Sequence, residues 1–503
     1  MNSSISASSG RARLRAALTK GARRSLAMMA LGAIMGPLLY AGLVTFQLGA
    51  WSRAQWWLYD ILTLRRHFYA DIVKPLPPEA RKTLVAAGSG TMFGLDGGAV
   101  SRATGETVLN FGMHAGLDID LLLAQLDGFV DANDRVVMPL EFEHYSRTAV
   151  TDLSAETFLA FLYPYADAIP LTRLARLAAA AHPFNVLDGV GNRIGEIIGT
   201  RPSPARPLAT LLDDWKAARA SGGAGDDHAP YDYSTMNAHG DKELMLQTPK
   251  DAEAAMRAAT TPAQPIVTPY AAGALADARK VVEAKGASLI LTWPVIVEDD
   301  SGTLFTPEYW QRIIDLARAA DEAGSPIHCD PIGAIVPVQY RYDTSYHVNW
   351  KGASVYSAGF AACLPEIESR AFDWKSADAA TLAARAKGRI AGLKRPPDPL
   401  VFGYERNIRL LQTLNDAVVA AHAASGRYPD ELPAIDPDIP VVEKGAGLFL
   451  PWYRTDGTDY KLVAEDPHDC FAVSEGWPQM IDPTRPVAGG CTYGFWTPGA
   501  ADW

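Results

Sequence analysis

The hydrophobic pattern of the chain begins with a long apolar run behind a basic segment. Residues 26–46 carry no charge, and the six charged side chains before them are all basic. A helix of this length can cross a hydrocarbon core of about 30 Å. Glycine and proline within the run are tolerated in membrane helices, and tryptophans follow where an interfacial aromatic belt would lie. The positive flank predicts a cytoplasmic N-terminus.

A cleaved signal peptide and a buried core helix are the alternatives for this run. A signal h-region is shorter, about 7–15 residues, and needs small residues before its cleavage site, where this chain has Leu48. We therefore expect a single-pass anchor in a bacterial inner membrane. The cytoplasmic tail is 1–24, the membrane helix 25–50, and a juxtamembrane helix with its linker 51–78, with the bulk of the chain in the periplasm.

Beyond residue 79, strand-like apolar runs alternate with helical ones. Strands are predicted at Thr83–Ala87, Thr107–Phe111, Arg135–Leu140, Ala287–Trp293 and Ile332–Val338. Helices are predicted at Asp118–Val130, Ala271–Lys285, Pro307–Ala323 and Asn349–Leu364, and 153–200 is helical without a sheet signal. This alternation predicts an α/β domain over 79–370 with a mostly parallel sheet covered on both faces. A loop-like stretch, about 201–262, is predicted to be an insertion.

A proline-rich linker separates the α/β domain from a smaller C-terminal module. The helix and linker occupy 371–402, and the module occupies 403–503. Within it, Arg406–Ala424 has helical apolar spacing, and Asp456-Gly457 between apolar stretches predicts a hairpin. We expect a small α+β fold for this part.

Composition adds constraints on class and compartment. The 503 residues are too many for one ordinary core, and the net charge of −11 argues against nucleic acid as a partner. Four cysteines form an even set, which in an oxidising compartment favours the disulfides Cys470–Cys491 and Cys329–Cys363. Four free, buried thiols are the alternative.

The candidate chemistry begins with Ser89, which follows the first strand in a Gly-Ser-Gly turn. Ligands of parallel sheets bind beyond the carboxyl ends of the strands. A serine nucleophile needs a base, an acid that orients the base, and donors for the oxyanion. We assign His347 as the base, Asp343 as the acid, and the backbone N–H of Gly112 as a donor. The alternatives are a helix cap, a loop histidine and a turn-forming aspartate.

Three ordered blocks carry a resemblance to a known superfamily. Gly88-Ser89, then Asn110-Phe-Gly-Met-His-Ala-Gly-Leu117, then Asp343 to Gly352 with His347-Val-Asn-Trp-Lys-Gly, resemble the SGNH/GDSL hydrolases. They are most similar to the envelope branch that includes alginate O-acetyltransferases and the D-alanyl-transfer protein of teichoic acids. The resemblance covers about 80–365 and implies a three-layer α/β/α fold with Ser89, Asp343 and His347 as its triad, working without a cofactor.

The chain departs from the family pattern in two places. The acid and the base have three residues between them instead of two. The third strand ends without the usual oxyanion asparagine, for which Asn237 is the substitute that the sequence offers. Glu141, Glu143 and His144 at that strand end are potential metal ligands, although a solvated strand end is the favoured interpretation.

The C-terminal module resembles the globular part of type II secretion major pseudopilins. Gly426-Arg-Tyr-Pro-Asp430 and the segment 452–462 carry this resemblance, which covers about 403–503. The usual pilin helix and processing site are absent, so polymerisation is not implied. The resemblance implies a calcium site in acidic loops, with oxygens from Asp456, Asp459, Asp466, Asp469 and Asp482. Acidic turn residues on a solvated surface are the favoured alternative.

Together these features predict a membrane-anchored, periplasm-facing SGNH-like serine acyltransferase or esterase. Its substrate would be a cell-envelope glycan or the acyl donor, and a single-span anchor permits a membrane acyl-donor protein as partner. The alternative is a non-catalytic envelope assembly or scaffold protein with a degenerate SGNH-like domain.

Overall fold

The structure is a computed structural model, and it describes most of the chain. The described residues are 7–51, 53–77, 79–220, 231–242, 260–393, 411, 414–415, 417–432, 452–466, 481–482, 484–485 and 491–503.

Helices and strands are numbered in chain order. The helices are α1 Ala7–Gln47, α2 Trp56–Val73, α3 Ser89–Gly94, α4 Gly97–Thr104, α5 Ile119–Ala124, α6 Glu143–Ser146, α7 Asp152–Thr157, α8 Leu171–Ala180, α9 Pro183–Ile197, α10 Leu208–Ala220, α11 Pro269–Glu283, α12 Pro307–Glu322, α13 Trp350–Cys363 and α14 Ala379–Leu393. The strands are β1 Lys82–Val85, β2 Thr107–Asn110, β3 Arg135–Met138, β4 Ser288–Thr292, β5 Ile296–Val297, β6 Ile327–His328, β7 Ile335–Val336, β8 Trp452–Thr455, β9 Tyr460–Asp466 and β10 Cys491–Trp496.

The chain divides into two compact units. The first joins Met1–Trp56 to Val150–Ala205, and the second joins Trp57–Ala149 to Arg206–Trp503. The sequence had placed 150–205 inside the α/β domain, whereas the structure groups it with α1, because α9 packs along that helix. Within α1, Ser25–Gln47 is long and apolar enough to cross a membrane, with a mean hydropathy of 1.8.

The second unit is built on a five-stranded sheet in the order β2-β1-β3-β4-β6, in which every pair is parallel. The side chains of β3 are buried throughout, as expected for a strand covered on both faces. Helix α4 packs on β2 and α11 packs on β4. A mostly parallel α/β architecture is therefore confirmed.

Two details differ from the sequence prediction. The fifth strand of the main sheet is β6, which was not predicted, while the predicted strand Ile332–Val338 contributes only β7, paired with β5 in a separate two-stranded sheet. The helix predicted over Asp118–Val130 is the shorter α5. The chain then proceeds through turns that include Gly128, whose φ of 81° favours glycine.

The C-terminal strands form an antiparallel sheet in the order β10-β9-β8. The hairpin predicted at Asp456-Gly457 is confirmed, since Thr455 pairs with Tyr460 across the turn. Gly457 has a φ of 90°, and the Asp456 carboxylate accepts two backbone N–H groups at 2.8 Å. The buried core of this part comprises Leu411, Leu414, Val418, Tyr460, Leu462, Ala464 and Tyr493.

A disulfide joins Cys329 to Cys363, as predicted, across 34 residues of chain. It connects the residue after β6 to the last residue of α13. Cys329 has a φ of 72°, an uncommon conformation for a residue with a side chain. The predicted Cys470–Cys491 pair includes Cys470, which lies outside the described residues.

Replacing both Cys329 and Cys363 by serine should destabilise the second unit. The disulfide lowers the conformational entropy of the unfolded chain, because it closes a loop across a sequence separation of 34 residues. Its loss is therefore expected to lower the free energy of unfolding by about 3–4 kcal/mol. Chemical denaturation of the detergent-solubilised full chain would measure this. An unchanged midpoint in the double variant would contradict the prediction.

Candidate active site

Ser89 opens helix α3 directly after the turn that follows β1, and its side chain is buried. The turn needs glycine at position 88, because a Cβ there would lie 2.4 Å from the Cα of Ala115 and 2.5 Å from Glu141 Oε1. The strand end, the turn and the helix start therefore hold Ser89 at the carboxyl edge of the sheet, as the sequence predicted.

Glu141 holds this turn from the adjacent strand. Its Oε2 accepts the N–H of Gly88 at 3.1 Å, and its Oε1 accepts the N–H of Gly90 at 2.8 Å. The carboxyl group is fully buried. The interpretation of Glu141 as part of a solvated strand end is therefore wrong, because its oxygens satisfy the two backbone donors that flank Ser89.

Asp343 and His347 are brought together on one turn. His347 Nδ1 lies 2.7 Å from Asp343 Oδ1, and Thr344 Oγ1 accepts the N–H groups of Tyr346 at 3.3 Å and of His347 at 3.1 Å. These bonds accommodate the extra residue between acid and base. A second donor to the carboxylate is Tyr231, whose hydroxyl donates to Asp343 Oδ2.

These donors keep Asp343 ionised. Burial alone would raise the pKa of Asp343, but the hydrogen bond and charge of His347, together with the Tyr231 hydroxyl, lower it below its usual range. An ionised Asp343 holds a proton on His347 Nδ1, so that Nε2 is free to act as a base. Tyr231 lies in the segment predicted as an insertion, and the sequence carried no signal for it.

His347 and α3 are in direct contact. The ring of Phe93 lies 4.3 Å from the His347 ring between centroids, and Phe93 shares a helix face with Ser89, four residues earlier. A Cβ at Gly90 would lie 3.3 Å from Tyr346 Cβ. No described residue hydrogen-bonds to the Ser89 hydroxyl. The helix of the nucleophile therefore contacts the base, but no hydrogen bond joins Ser89 to His347.

His114 is a further polar group beside this pair. Its Nδ1 accepts the N–H of Gly116 at 2.8 Å, which assigns the ring proton to Nε2. Burial lowers the pKa of His114, and the charge of nearby His347 lowers it further, so the ring is neutral. A neutral imidazole with a defined N–H can donate a hydrogen bond. His114 lies within the second resembling block, a signal that the sequence argument did not use.

The predicted oxyanion donor Gly112 is already engaged. Its N–H donates to Asn110 Oδ1 at 2.9 Å, while Asn110 Nδ2 donates to the carbonyls of Thr91 at 3.1 Å and Leu95 at 2.7 Å. A Cβ at position 112 would lie 2.2 Å from Met92 N. Gly112 thus fastens the end of β2 against α3 and does not offer a free donor.

Asn237, the proposed substitute for the oxyanion asparagine, closes its own turn. Its Oδ1 accepts the N–H groups of His239 at 2.9 Å and Asp241 at 3.0 Å. The turn is also held by Arg65, whose Nε donates to the carbonyl of Gly240 at 3.0 Å. These contacts give Asn237 a structural role.

The metal-site alternative at the end of β3 is not favoured by the side-chain directions. His144 is buried, with Nδ1 3.2 Å from the carbonyl of Glu141 and Nε2 3.0 Å from the carbonyl of Leu117. Burial lowers the pKa of His144 to about 3. Glu143 is exposed and accepts a hydrogen bond from Tyr346 Oη at 2.9 Å. A backbone carbonyl oxygen lies within 3.2 Å of each ring nitrogen of His144, so both nitrogens are occupied on the side where a metal ion would bind.

The predicted calcium ligands have other partners where they are described. The Asp482 carboxylate pairs with Lys461 Nζ at 2.8 Å and accepts a hydrogen bond from Thr484 Oγ1 at 2.6 Å. Asp456 binds N–H groups of its own hairpin turn. The side chain of Asp466 and the whole of Asp469 lie outside the described residues. Asp459, near Gly499, completes the predicted set. In the described ranges, no three His, Cys, Asp or Glu residues are placed to hold a metal ion.

Comparison of the chain with protein-family models, with curated proteins and with solved structures gives no match.

Glu141 should give the protein a distinctive pH dependence of stability. Burial raises the pKa of Glu141 from 4.5 to about 7, although the N–H bonds of Gly88 and Gly90 oppose the shift. Between these values the folded protein keeps a proton that the unfolded chain releases, so stability falls as pH rises through that window. A glutamine cannot titrate. The unfolding free energy of wild type minus that of E141Q should fall by up to about 3 kcal/mol from pH 4.5 to 8.

Urea unfolding of both proteins across this pH range would measure the difference. E143Q removes the same charge from the exposed neighbouring carboxylate and is the matched control. Parallel stability curves for wild type and E141Q would contradict the expected titration of Glu141.

Proposed function

We propose that the chain is a serine-dependent acyl-transfer enzyme of the SGNH-like kind, an O-acyltransferase or esterase of the cell envelope. The observation that carries this proposal is the 2.7 Å contact between His347 Nδ1 and Asp343 Oδ1, on a turn that packs against the helix opened by Ser89. An oriented acid–base pair on a turn that contacts the helix of a buried serine supports nucleophilic catalysis.

The first step would form an acyl-serine. His347 Nε2 removes the proton from Ser89 Oγ, and the oxygen attacks the carbonyl carbon of the acyl donor. Asp343, kept ionised, stabilises the imidazolium that forms. The tetrahedral intermediate collapses, the donor's alkoxide leaves, and the proton on His347 passes to that leaving oxygen.

Stabilisation of the oxyanion is assigned to two donors. The N–H of Ser89 has no hydrogen-bond partner among the described residues and lies at the start of α3. The neutral His114 ring offers its Nε2–H from the neighbouring loop. A preorganised donor in a water-poor site is typically worth a factor of about 10²–10³ in rate.

The second step would release the acyl group. His347 takes the proton from a sugar hydroxyl or a water molecule, whose oxygen attacks the acyl-serine carbonyl carbon. The ester bond to Ser89 then breaks, and His347 returns the proton to the Ser89 oxygen. The expected acceptor is an envelope glycan. This expectation is supported by the resemblance to the envelope branch of the SGNH/GDSL hydrolases and by the apolar segment of α1, which is long enough to span a membrane. The same resemblance supports the three-layer arrangement, the periplasmic placement and a membrane acyl-donor partner.

A scaffold protein with an inactive domain is the rival function. It is favoured by one observation, that no described residue hydrogen-bonds to the Ser89 hydroxyl. Catalytic hydrogen bonds are often long before substrate binds, so this geometry alone does not decide between the two.

A fluorescent fluorophosphonate should label the folded full chain at Ser89. The reagent reacts with serines that a base has activated, so labelling should disappear in S89A and fall at least about 100-fold in H347A. In-gel fluorescence measures it. S146A, which removes a half-buried serine hydroxyl outside the site, is the matched control and should label normally. An unlabelled wild type with an intact fold would favour the scaffold.

Two variants of His114 should separate its donor role from its packing role. Gln places an N–H where Nε2 stood, so H114Q should lose less than about 10-fold in the second-order labelling rate constant, whereas H114L should lose about 10²–10³-fold. Quenched time courses of labelling at several reagent concentrations measure the rate constants of both variants. Equal losses in the two variants would remove His114 from the oxyanion site.

A further inference from the structure

Helix α9 in the first unit exposes an apolar stripe. Phe184 is 75% exposed, Leu187 53%, Ile194 47%, and Ile198, just past the helix end, 65%. Their spacing of three, seven and four residues places them on one face of the helix. Side chains of this size are seldom left in water as a continuous row.

The opposite face of α9 is the buried one, and it is small or polar. Val186, Gly189 and Asn192 are buried, and a Cβ at Gly189 would lie 2.2 Å from Gln47 Oε1 on α1. A surface helix of a water-soluble protein has the reverse pattern. Close packing through glycine with apolar side chains outside is typical of helices in lipid.

Two hydrogen bonds define the position of α9 along the axis of α1. Tyr40 Oη donates to the carbonyl of Ala181 at 2.8 Å, at the corner between α8 and α9, and Arg193 Nε donates to the carbonyl of Phe46 at 3.4 Å. Helix α9 therefore runs beside the last two turns of α1, a distance of about 10 Å. Those turns belong to the segment that is apolar enough to span a membrane.

Helices α1 and α9 both expose apolar side chains at the level of Tyr40. Leu38 and Leu39 of α1 are 62% and 66% exposed, just before the level of Tyr40 where α9 begins. Leu171, at the start of α8, is 81% exposed. The solvent around α1 at this level therefore also surrounds the start of α9.

The charged groups of α9 are paired within the same unit. Asp188 lies 3.8 Å from Arg53 Nε, and Arg193 pairs with Glu196. Arg193 also donates to the carbonyl of Leu48. These pairs leave the stripe itself without charge, as insertion between acyl chains requires.

We propose that α9 lies in the bilayer leaflet at the C-terminal end of α1, with its apolar stripe among lipid acyl chains. The protein then has a second membrane contact beyond its spanning helix. This inference rests on the proposed membrane anchoring. Lipid is the occupant because α9 packs beside the last turns of a helix that is apolar enough to span a membrane.

Photo-cross-linking of the full chain in vesicles tests the proposal. The vesicles contain phosphatidylcholine and phosphatidylglycerol, with a fraction of the phosphatidylcholine carrying a diazirine in its acyl chain. After irradiation and digestion, mass spectrometry should find adducts on peptides covering 183–198 in yields of the same order as on 26–46. Helix α12, which is amphipathic but buries its apolar face, is the internal control and should carry none.

The variant F184E/I194E places two charges in the stripe, and its adducts on α9 should fall to the level of α12 while those on α1 stay. Q311E adds a charge at an exposed position of α12 and should leave the adduct yields on α1 and α9 unchanged. Adducts on α1 with none on wild-type α9 would overturn the proposal and assign the stripe to a protein partner. Adducts on neither helix would overturn both this inference and the proposed anchoring, without bearing on fluorophosphonate labelling of Ser89.

Discussion

The candidate site depends on one buried carboxylate. Glu141, beyond the end of β3, accepts the N–H groups on both sides of Ser89 and so ties the turn after β1 to its neighbour strand. Two backbone donors are satisfied by one side chain in a place that water does not reach. The direction of Ser89 is thus determined by an interaction in which Ser89 takes no part.

Four of the five strands of the main sheet could be predicted because each contains two or three consecutive apolar residues. The fifth strand, Ile327–His328, could not, since two residues have no periodicity. This strand forms only because the fold brings Ile327 beside Leu291 of β4. The sequence instead predicted a strand in the longer apolar run around Ile335. The same limit applies to 150–205, whose helical pattern was evident but whose packing against α1 was not.

Within the site, the residues close in sequence were predictable and the distant ones were not. Asp343 and His347 are four apart in one polar segment. Tyr231 is 112 residues from Asp343, and only the fold brings its hydroxyl to the carboxylate. Glu141 was taken for a solvated side chain because charged residues are rarely fully buried. Burial with two donors is the exception that a single sequence does not reveal.

The turn that carries Asp343 and His347 has a consequence for how the site assembles during folding. The bonds among Asp343, Thr344 and His347 join residues at most four apart, and loops of that size close far faster than a sheet forms. The bonds from Glu141 to the Ser89 turn span more than fifty residues and need β1 and β3 to be paired first. The acid–base pair therefore has low contact order, and the arrival of the nucleophile is the late step.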